Sequence, residues 1–459
     1  MNRRELLRAT AALCLTATLA ACGGGSTSAP TPPAPNGPRI DGLASDKTSY
    51  FVGDQASLTA TFSGGTGRIE PGAIAVTSGV PVAVGPLLAT TTYRLVVTSG
   101  QTQVTRDLAL PTAYRNRFTP VAMNFARSQH QAVELPNGRV LVIGGDGAAN
   151  AAPVTVMSYD PQANTFAQAG TVLTGRMHHS ATALADGTVL IVGGSRTLQG
   201  TPVAERFDPA TGTSRATATQ PLHSRSLHTA TLLADGRVLF VGGLSSGGNA
   251  AANTVDVFDP ATEQFTRLPG TLAATRYGHA TVRVTADKLV IYGGSTVSGQ
   301  AAAPEVFDVQ TMASSASTLP QFDAAARLAA AVVKTSAGDF AVIGGESPFD
   351  SAAASKVALI AGGTVAFNDG GQLLSPRTLH AAAALVDGRV LVTGGSATLG
   401  TTLASSELYT PSGRVSVAGP AMTQARAYHT ATRLSNGKVL IIGGTGANGL
   451  ALASAELYE

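Results

Sequence analysis

The chain has 459 residues, of which 44% are hydrophobic and only 13% are charged, and it contains no tryptophan and two cysteines. A chain of this length can bury a large core and form more than one domain. Its formal net charge is +3, and no run of lysine or arginine occurs beyond the pair Arg3-Arg4. This composition excludes the basic surface that nucleic-acid binding requires, so we expect no nucleic-acid partner.

The N-terminal segment is typical of an export signal. Residues 1–21 combine the basic stretch MNRRELLR with an apolar stretch that is too short to span a bilayer. The sequence Leu19-Ala20-Ala21-Cys22 resembles a bacterial lipobox, whose cysteine is acylated and becomes the first mature residue. We therefore expect a lipoprotein signal peptide over 1–21 and a lipid anchor at Cys22. An ordinary secretory signal is the alternative.

A tether follows the signal. Residues 22–38 are rich in Gly and Ser and then in Pro, a composition that cannot build a core. The two cysteines are Cys14 and Cys22, so the mature protein would have no disulfide. These features predict an exported protein that a lipid anchor holds in the cell envelope, at the outer membrane or the periplasmic face.

Residues 39–112 show short strands of period two. Tyr50–Phe62 ends in an apolar alternation, and TTYRLVVTS and QTQVTRDLAL indicate a hairpin that turns at Ser99-Gly100. This pattern predicts a small β-sandwich. Around Tyr93 the segment resembles the immunoglobulin-like modules of bacterial surface proteins. We expect a spacer domain, and a ligand-binding module is the alternative.

The remainder, residues 113–459, is built from repeats. Seven stretches share an arginine, a position three residues later that is usually histidine, a turn and a glycine pair, as in RSLHTATLLADGRVLFVGG. The glycine pairs recur every 49 to 51 residues, which is the signature of a repeat architecture. We number the repeats units 1 to 7 by their arginines, which stand at positions 127, 176, 225, 276, 327, 377 and 426.

Each unit predicts four antiparallel strands. Two apolar runs flank an Asp-Gly or Asn-Gly pair in five units, which favours a type I′ hairpin turn. A loop follows the glycine pair, and third and fourth strands come after it. Unit 7 stops after its third strand, whereas the segment around Phe118 matches a fourth strand. We expect residues near Phe118 to complete the sheet of unit 7, so that the seven sheets close into a ring.

These motifs, repeated in phase from Arg127 to Glu459, resemble the kelch repeat family and its bacterial branch related to the propeller of galactose oxidase. The resemblance implies an all-β chain: a seven-bladed kelch-type β-propeller over 113–459, preceded by the small Ig-like β-sandwich over 39–112. The tryptophan that the family has in its fourth strand is absent. Phe166 and Phe265 are its nearest substitutes, so the packing between blades is expected to differ.

The repeated polar residues are predicted to build the fold. Six units have the histidine and unit 5 has Ala330, and we expect each imidazole to bond to a neighbouring backbone carbonyl. The arginines are expected to pair with acids of the third strands, because a buried guanidinium requires a partner. Met157 in unit 1 and Lys356 in unit 5 interrupt this series, which leaves their arginines available to a ligand. The six histidines are His130, His179, His228, His279, His380 and His429, and the five acids are Glu205, Asp256, Glu305, Glu407 and Glu456.

Residues that occur in single units are the better candidates for a site, because function breaks the symmetry of a repeat. Loops after the glycine pairs and residues beside the Arg-x-x-His motifs should open on one face, where loops carry binding residues. The function predicted from these features is non-catalytic binding of a protein or glycan by a monomer without a cofactor or metal. The candidate residues on this face are Asp146, Arg196, Glu346, His178, His223, Tyr277 and Tyr428.

The alternative is a carbohydrate-active enzyme, either a sugar epimerase or a copper oxidase. Galactose-oxidase-like enzymes use a Tyr-His pair, a second tyrosine, another histidine and a cysteine crosslinked to tyrosine. Tyr428-His429 resembles that Tyr-His pair. The mature chain has no cysteine for the crosslink, and the position two residues after the arginine holds no second tyrosine in units 1, 3, 4 and 5. We therefore favour the binding function.

Overall fold

The computed structural model describes residues 37–147, 152–195, 204–245, 251–296, 298–299, 303–316, 330–346, 353–398 and 401–459. These residues form strands, turns and loops with no helix, which confirms the all-β prediction. Accordingly, no helix that could cross a membrane occurs in them. The signal segment, Cys22, most of the tether and Arg196 lie outside the described residues.

Two sheets that enclose one core form the N-terminal unit, residues 39–113. The core contains Leu58, Ile69, Leu95 and Val97, all essentially inaccessible to solvent. The hairpin expected at Ser99-Gly100 is present. In spatial order, one sheet is Arg39–Ser45, Ala56–Ser63 and Pro81–Val84, the other is Ile74–Val76, Thr66–Glu70, Thr91–Ser99 and Thr102–Leu110, and Tyr50–Phe51 pairs in parallel with Thr112–Ala113.

Seven further sheets of four antiparallel strands follow, one in each unit. The strands of units 1 to 3 are Gln131–Glu134, Val140–Ile143, Thr155–Asp160 and Thr165–Thr171, then Ser180–Ala183, Val189–Val192, Glu205–Asp208 and Thr213–Ala216, then Thr229–Leu232, Val238–Val241, Thr254–Asp259 and Gln264–Thr271. Those of units 4 and 5 are Ala280–Arg283, Lys288–Tyr292, Glu305–Asp308 and Ala313–Ala316, then Ala331–Lys334, Phe340–Ile343, Lys356–Ile360 and Phe367–Gln372. Those of units 6 and 7 are Ala381–Ala384, Val390–Thr393, Ser406–Thr410 and Val415–Ala418, then Thr430–Arg433, Val439–Ile442, Ala455–Tyr458 and Phe118–Val121, and a small hairpin of Ser396–Thr398 and Thr401–Thr402 lies in the unit 6 loop.

The sheets stand side by side around a closed cycle. The first strand of each unit contacts the first strands of the two neighbouring units, and unit 7 contacts unit 1. A separate apolar cluster fills each space between neighbouring sheets. The second strands of five units, such as Val238–Val241, are buried at every position, because a neighbouring sheet covers each of their faces. This arrangement is that of a β-propeller.

The two ends of the repeat region meet in one sheet. Phe118–Val121 pairs with Ala455–Tyr458, which confirms that residues near Phe118 complete the last sheet. The carboxylate of Glu459 accepts hydrogen bonds from Arg117 and Lys438 at 2.8 Å each. Burial alone would raise the pKa of Glu459, but these cations outweigh it and lower the pKa to about 2. The closure is therefore held by strand pairing and by charge.

The turns between the first two strands differ from the predicted type I′. That type needs positive φ at both central residues, whereas in unit 1 only Gly138 has it, at 79°. The N–H of Gly138 bonds to the carbonyl of Leu135, and Leu135 pairs with Arg139 around a three-residue loop. This is a type I turn with a glycine bulge. Asn137 accepts the N–H of Arg139, so its role is to cap the loop rather than to adopt positive φ.

The N-terminal unit packs on the side of the ring where these turns lie, which we call the turn side. The hydroxyl of Tyr114 donates to the carbonyl of Gly437 at 2.7 Å and accepts from the N–H of Val386 at 3.2 Å. Val52 and Tyr114 belong to the apolar cluster between units 6 and 7. The strands run from the turn side to the opposite side, where the Arg-x-x-His motifs and the glycine-pair loops lie. We call this opposite side the loop side.

Candidate ligand-binding face

Buried ion pairs hold the loop side of five units together. The guanidinium groups of Arg377 and Arg426 lie 2.7 Å from the carboxylates of Glu407 and Glu456, with all four side chains at most 3% exposed. The same arginines donate to the carbonyl of the first glycine of each pair. The equivalent pairs in units 2, 3 and 4 confirm the predicted Arg–acid series, and they are Arg176–Glu205, Arg225–Asp256 and Arg276–Glu305.

In four of these units the acid also binds the backbone segment that leads into the arginine of its own unit. Glu456 accepts the backbone N–H of Thr423, and Glu407 accepts that of Leu374. Glu205 and Glu305 do the same for Leu173 and Ala273. One carboxylate therefore satisfies a buried cation and an orphan backbone donor together, which is the condition under which burying an ion pair is tolerated.

Unit 1 lacks the acid, but its arginine is not available to a ligand. Arg127 is 4% exposed, donates to Thr155 and lies 5.3 Å from the centre of the Phe125 ring. Burial lowers the pKa of Arg127 to about 10. The expectation of a free arginine is thus wrong in unit 1, because Thr155 and Phe125 take over part of the missing partner's role. In unit 5, Arg327 lies outside the described residues.

The interruption in unit 5 is also at a different residue. In the other units the acid pairs with the residue two positions before the glycine pair, as Glu407 does with Val392. In unit 5 this partner position, Val342, faces Ala358 and not Lys356. Loop lengths after the glycine pair differ between units. The residue equivalent to the acid is therefore identified by strand pairing and not by its distance along the sequence.

The repeated histidines connect neighbouring sheets, but the predicted backbone carbonyl is not their partner at Nε2. In three units Nε2 bonds to a hydroxyl in the first strand of the preceding unit, as His279 does with Thr229 at 3.0 Å. Unit 6 has alanine at that place, and Thr393 from its second strand supplies the hydroxyl to His429 at 2.9 Å. The other two such contacts are His130–Thr430 and His228–Ser180.

Burial keeps these imidazoles neutral. It lowers the pKa of His130, His179 and His279 to about 3, and the neighbouring arginines add to the effect. The glycine pairs serve the same contacts. A Cβ on Gly144, whose φ is 61°, would lie 2.5 Å from both the Arg176 carbonyl and the His179 ring. In this repeated contact, the first glycine of one unit packs against the arginine carbonyl and the histidine ring of the next unit.

In the units where it is described, the residue two positions after the arginine lies on a girdle of backbone hydrogen bonds. Gln129 donates its N–H to the carbonyl of Tyr428, and Tyr428 donates to Leu379. Both Gln129 and Tyr428 have φ of 55°, a left-handed conformation that is uncommon for non-glycine residues. His178 holds the same position in unit 2, and burial lowers its pKa. The girdle places the side chains of Gln129, His178, Leu227, Leu379 and Tyr428 at the loop side, and in unit 4 its residue is Gly278.

Two of the candidate residues come together in one pocket. Glu346 of unit 5 and Tyr428 of unit 7 line a cavity of about 280 Å³ on the loop side. Burial raises the pKa of Glu346, and the hydroxyl of Thr378 offsets part of this rise. Burial also raises the pKa of Tyr428, and the negative charge of Glu346 adds to it. The electrostatic coupling shows that the carboxylate and the phenol are neighbours.

The remaining candidates lie outside this pocket. Asp146 pairs through its backbone with Ser128 in unit 1, and Tyr277 pairs likewise with Ser295 in unit 4. His223 is hydrogen-bonded at 3.1 Å to Arg267, which itself binds Asp256. The structure therefore does not bring Asp146, His178, His223 or Tyr277 together with Glu346 and Tyr428.

Several pocket residues escaped the sequence analysis. They are small hydroxyl side chains, of which three stand directly after a glycine pair or an arginine and one lies in the unit 6 loop. Their type is common in loops, and nothing in a single sequence separates them from solvated positions. The hydroxyl residues that line the pocket are Thr378, Ser396, Thr402 and Thr445.

Comparison with known proteins supports the fold. No protein-family model matches the chain, and no curated protein matches it. Among solved structures the chain is similar to a novel fungal alcohol oxidase of the AA5 family, described as showing catalytic diversity and solved in complex with copper. The two chains are 16% identical with a TM-score of 0.63, over 75% of this chain and 76% of that one. Such an identity shows the fold alone. The chain therefore has an all-β fold of the galactose-oxidase-like, kelch-propeller type.

Proposed function

We propose that this protein is an exported binding protein of the cell envelope, in which seven blades form one propeller and residues 39–112 form an Ig-like spacer. The repeated arginines are engaged in ion pairs within blades and the repeated histidines in contacts between blades, which leaves the loops to carry function. The ligand we propose is a glycan, taken from solution or from a glycan-bearing partner, and it enters the pocket between Glu346 and Tyr428.

The single observation that carries this proposal is the composition of that pocket. An aromatic ring that is 37% exposed, a carboxylate and several hydroxyls face one cavity of about 280 Å³. A few convergent polar groups in a concave site with apolar walls are the usual features of a small-ligand pocket. Hydroxyls and carboxylates can both accept hydrogen bonds from a sugar, and the tyrosine offers a flat apolar surface.

We expect Tyr428→Ala to weaken binding on a glycan array about 10- to 100-fold, because truncation of a central aromatic anchor removes about 1.4–3 kcal/mol. Tyr277→Ala is the matched control, since this tyrosine belongs to the loop side but not to the pocket. It should bind as the unchanged protein does. Equal binding by the Tyr428 variant and the unchanged protein would show that the ligand is bound elsewhere.

A lipid anchor at Cys22 remains part of the proposal. We expect Cys22→Ser to abolish lipid attachment and processing at that residue, and to move the protein from the membrane fraction to the soluble fraction. Metabolic labelling with a fatty acid and cell fractionation measure these two effects. An unlabelled wild-type protein, or a variant that stays membrane-bound and is processed as before, contradicts the anchor.

The fold likeness to an AA5 oxidase favours the enzyme alternative, but the described residues do not fit a copper radical centre. His429 is buried, and its Nε2 is bonded to Thr393, whereas Tyr428 faces the pocket. No group of three or more His, Cys, Asp or Glu that could hold a metal occurs in the described part of the chain. We therefore derive no step through copper. Stoichiometric copper in purified protein, lost on His429→Ala, would favour the oxidase. No observation favours the epimerase.

A further inference from the structure

The pocket contains a loop-side carboxylate, that of Glu346, which has no cationic partner among the described residues. The five acids of the third strands are each within ion-pair distance of an arginine. Glu346 is half-buried, and its neighbours are the hydroxyl of Thr378 and the ring of Tyr428, neither of which carries a positive charge. Glu346, directly after the unit 5 glycine pair, thus carries a negative charge that no described residue neutralises.

Such a charge is costly. Removing a carboxylate from water without a cation raises the free energy of the folded state, and one neighbouring hydroxyl returns only part of this cost. The pKa of Glu346 is raised for this reason. A bound cation would neutralise the charge and recover Coulomb energy in a partly desolvated site, where it is worth more than in bulk water. The pocket is therefore complementary to a positive group.

The other walls specify which kind of cation fits. The exposed ring of Tyr428 can contact a cation through its π-face. Thr378, Ser396 and Thr445 bring hydroxyl oxygens that can accept hydrogen bonds from N–H groups. Leu379 and Ala427 make part of the wall apolar. A metal ion such as Ca²⁺ is usually bound by several oxygen ligands that include more than one carboxylate. An ammonium group can instead be bound by one carboxylate, hydroxyl groups and an aromatic face together.

We propose that this pocket binds the primary ammonium group of its ligand, as an amino sugar without its N-acetyl group would present it. The inference rests on the proposed glycan-binding function and names the chemical class of the ligand. Glu346 forms the ion pair, Tyr428 covers the charge from one side, and the hydroxyls accept the remaining N–H groups.

The test compares glucosamine with glucose and N-acetylglucosamine, which lack the charge, by titration calorimetry below the pKa of the sugar amine. We expect glucosamine to bind at least about tenfold more tightly than either neutral sugar, since a partly desolvated ion pair with a cation–π contact contributes about 1.4 kcal/mol or more. Ethanolamine and choline form a second comparison. Ethanolamine should bind more tightly, because choline has no N–H to donate.

Glu346→Gln should lower the affinity for glucosamine far more than the affinity for glucose, so that the preference for glucosamine over glucose disappears. It should also raise or preserve the melting temperature, since an unneutralised charge is removed, and this separates loss of binding from misfolding. Asp146→Asn is the matched control, because Asp146 holds the same place after the glycine pair of unit 1 but lies outside the pocket. Its affinity for glucosamine should not change.

Equal affinities for glucosamine and glucose, a preference that survives Glu346→Gln, or no binding of glucosamine would each overturn the inference. Tighter binding of choline than of ethanolamine would overturn the assignment to a primary ammonium. If neutral glycans still bind in a Tyr428-dependent way, the proposed function stands and only the ammonium assignment fails. If the protein binds no glycan in a Tyr428-dependent way, the proposed function has failed as well.

Discussion

Glu456→Ala is expected to lower the free energy of unfolding of the propeller by about 3–5 kcal/mol. The variant leaves Arg426 buried, at 0% side-chain exposure, without its carboxylate partner. It also leaves the backbone N–H of Thr423 without an acceptor. The guanidinium would keep its hydrogen bonds to Gly443 and Ser454 but would be a buried charge without a counter-charge, and the N–H would be unpaired, which makes breaking a buried pair costly. Urea denaturation followed by circular dichroism measures the change.

The matched control is Asp107→Ala in the N-terminal unit. Arg94 and Asp107 are also 2.7 Å apart, but their side chains are 57% and 46% exposed. Water screens such a pair, so we expect a loss of about 0–1 kcal/mol. Replacing Arg426 and Glu456 together by methionine should recover much of the stability lost in the single variant. Equal losses for Glu456→Ala and Asp107→Ala would contradict the assigned role of burial.

Deletion of residues 455–459 is expected to have the larger effect and to abolish cooperative folding of the ring. The deletion removes the strand that joins Phe118–Val121 to Val439–Ile442. It also removes Leu457 and Tyr458, which are buried between sheets. Loss of side chains of this size costs on the order of 5–10 kcal/mol together, which is comparable with the whole stability of a domain. The unpaired strand edges left behind favour association with other chains.

Size-exclusion chromatography with light scattering, together with thermal unfolding, measures these effects. Glu459→Gln is the control, because it weakens the ion pairs with Arg117 and Lys438 and leaves the strand intact. This variant should elute as the full chain does and lose far less stability. A deletion variant that elutes and melts like the full chain would show that strand pairing at Ala455–Tyr458 is not what closes the ring.

The parts of this fold that could be predicted from the sequence are those that recur in several repeats. The arginines and glycine pairs recur in phase, and an acid follows in the third strand of five units, so their pairing could be predicted, whereas varying loop lengths hid the equivalent residue of unit 5. The turn type could not, because Asn137-Gly138 is compatible with both a two-residue and a three-residue loop. Only the pairing of Leu135 with Arg139 decides between them.

The partners of the histidines were also hidden from the sequence. Four of the imidazoles meet a hydroxyl from the preceding unit, and for His429 of unit 7 this hydroxyl is that of Thr393, which lies in a second rather than a first strand. No local pattern links residues in neighbouring sheets. The pocket has the same origin, because it combines Glu346 of unit 5 with Tyr428 of unit 7 across unit 6. Single-unit departures such as these two residues were visible in the sequence, but their proximity follows only from the closed ring.

The contact between the N-terminal unit and the ring has a consequence for how the molecule would be presented. Tyr114 joins the two through hydrogen bonds to residues of the hairpin turns in units 6 and 7. A support that held the chain by its first residues would therefore lie beneath those hairpins. The cavity beside Tyr428 opens on the loop side. The full height of the propeller would therefore separate this cavity from the support. Molecules would reach the cavity from the distal side without competing with the attachment for space.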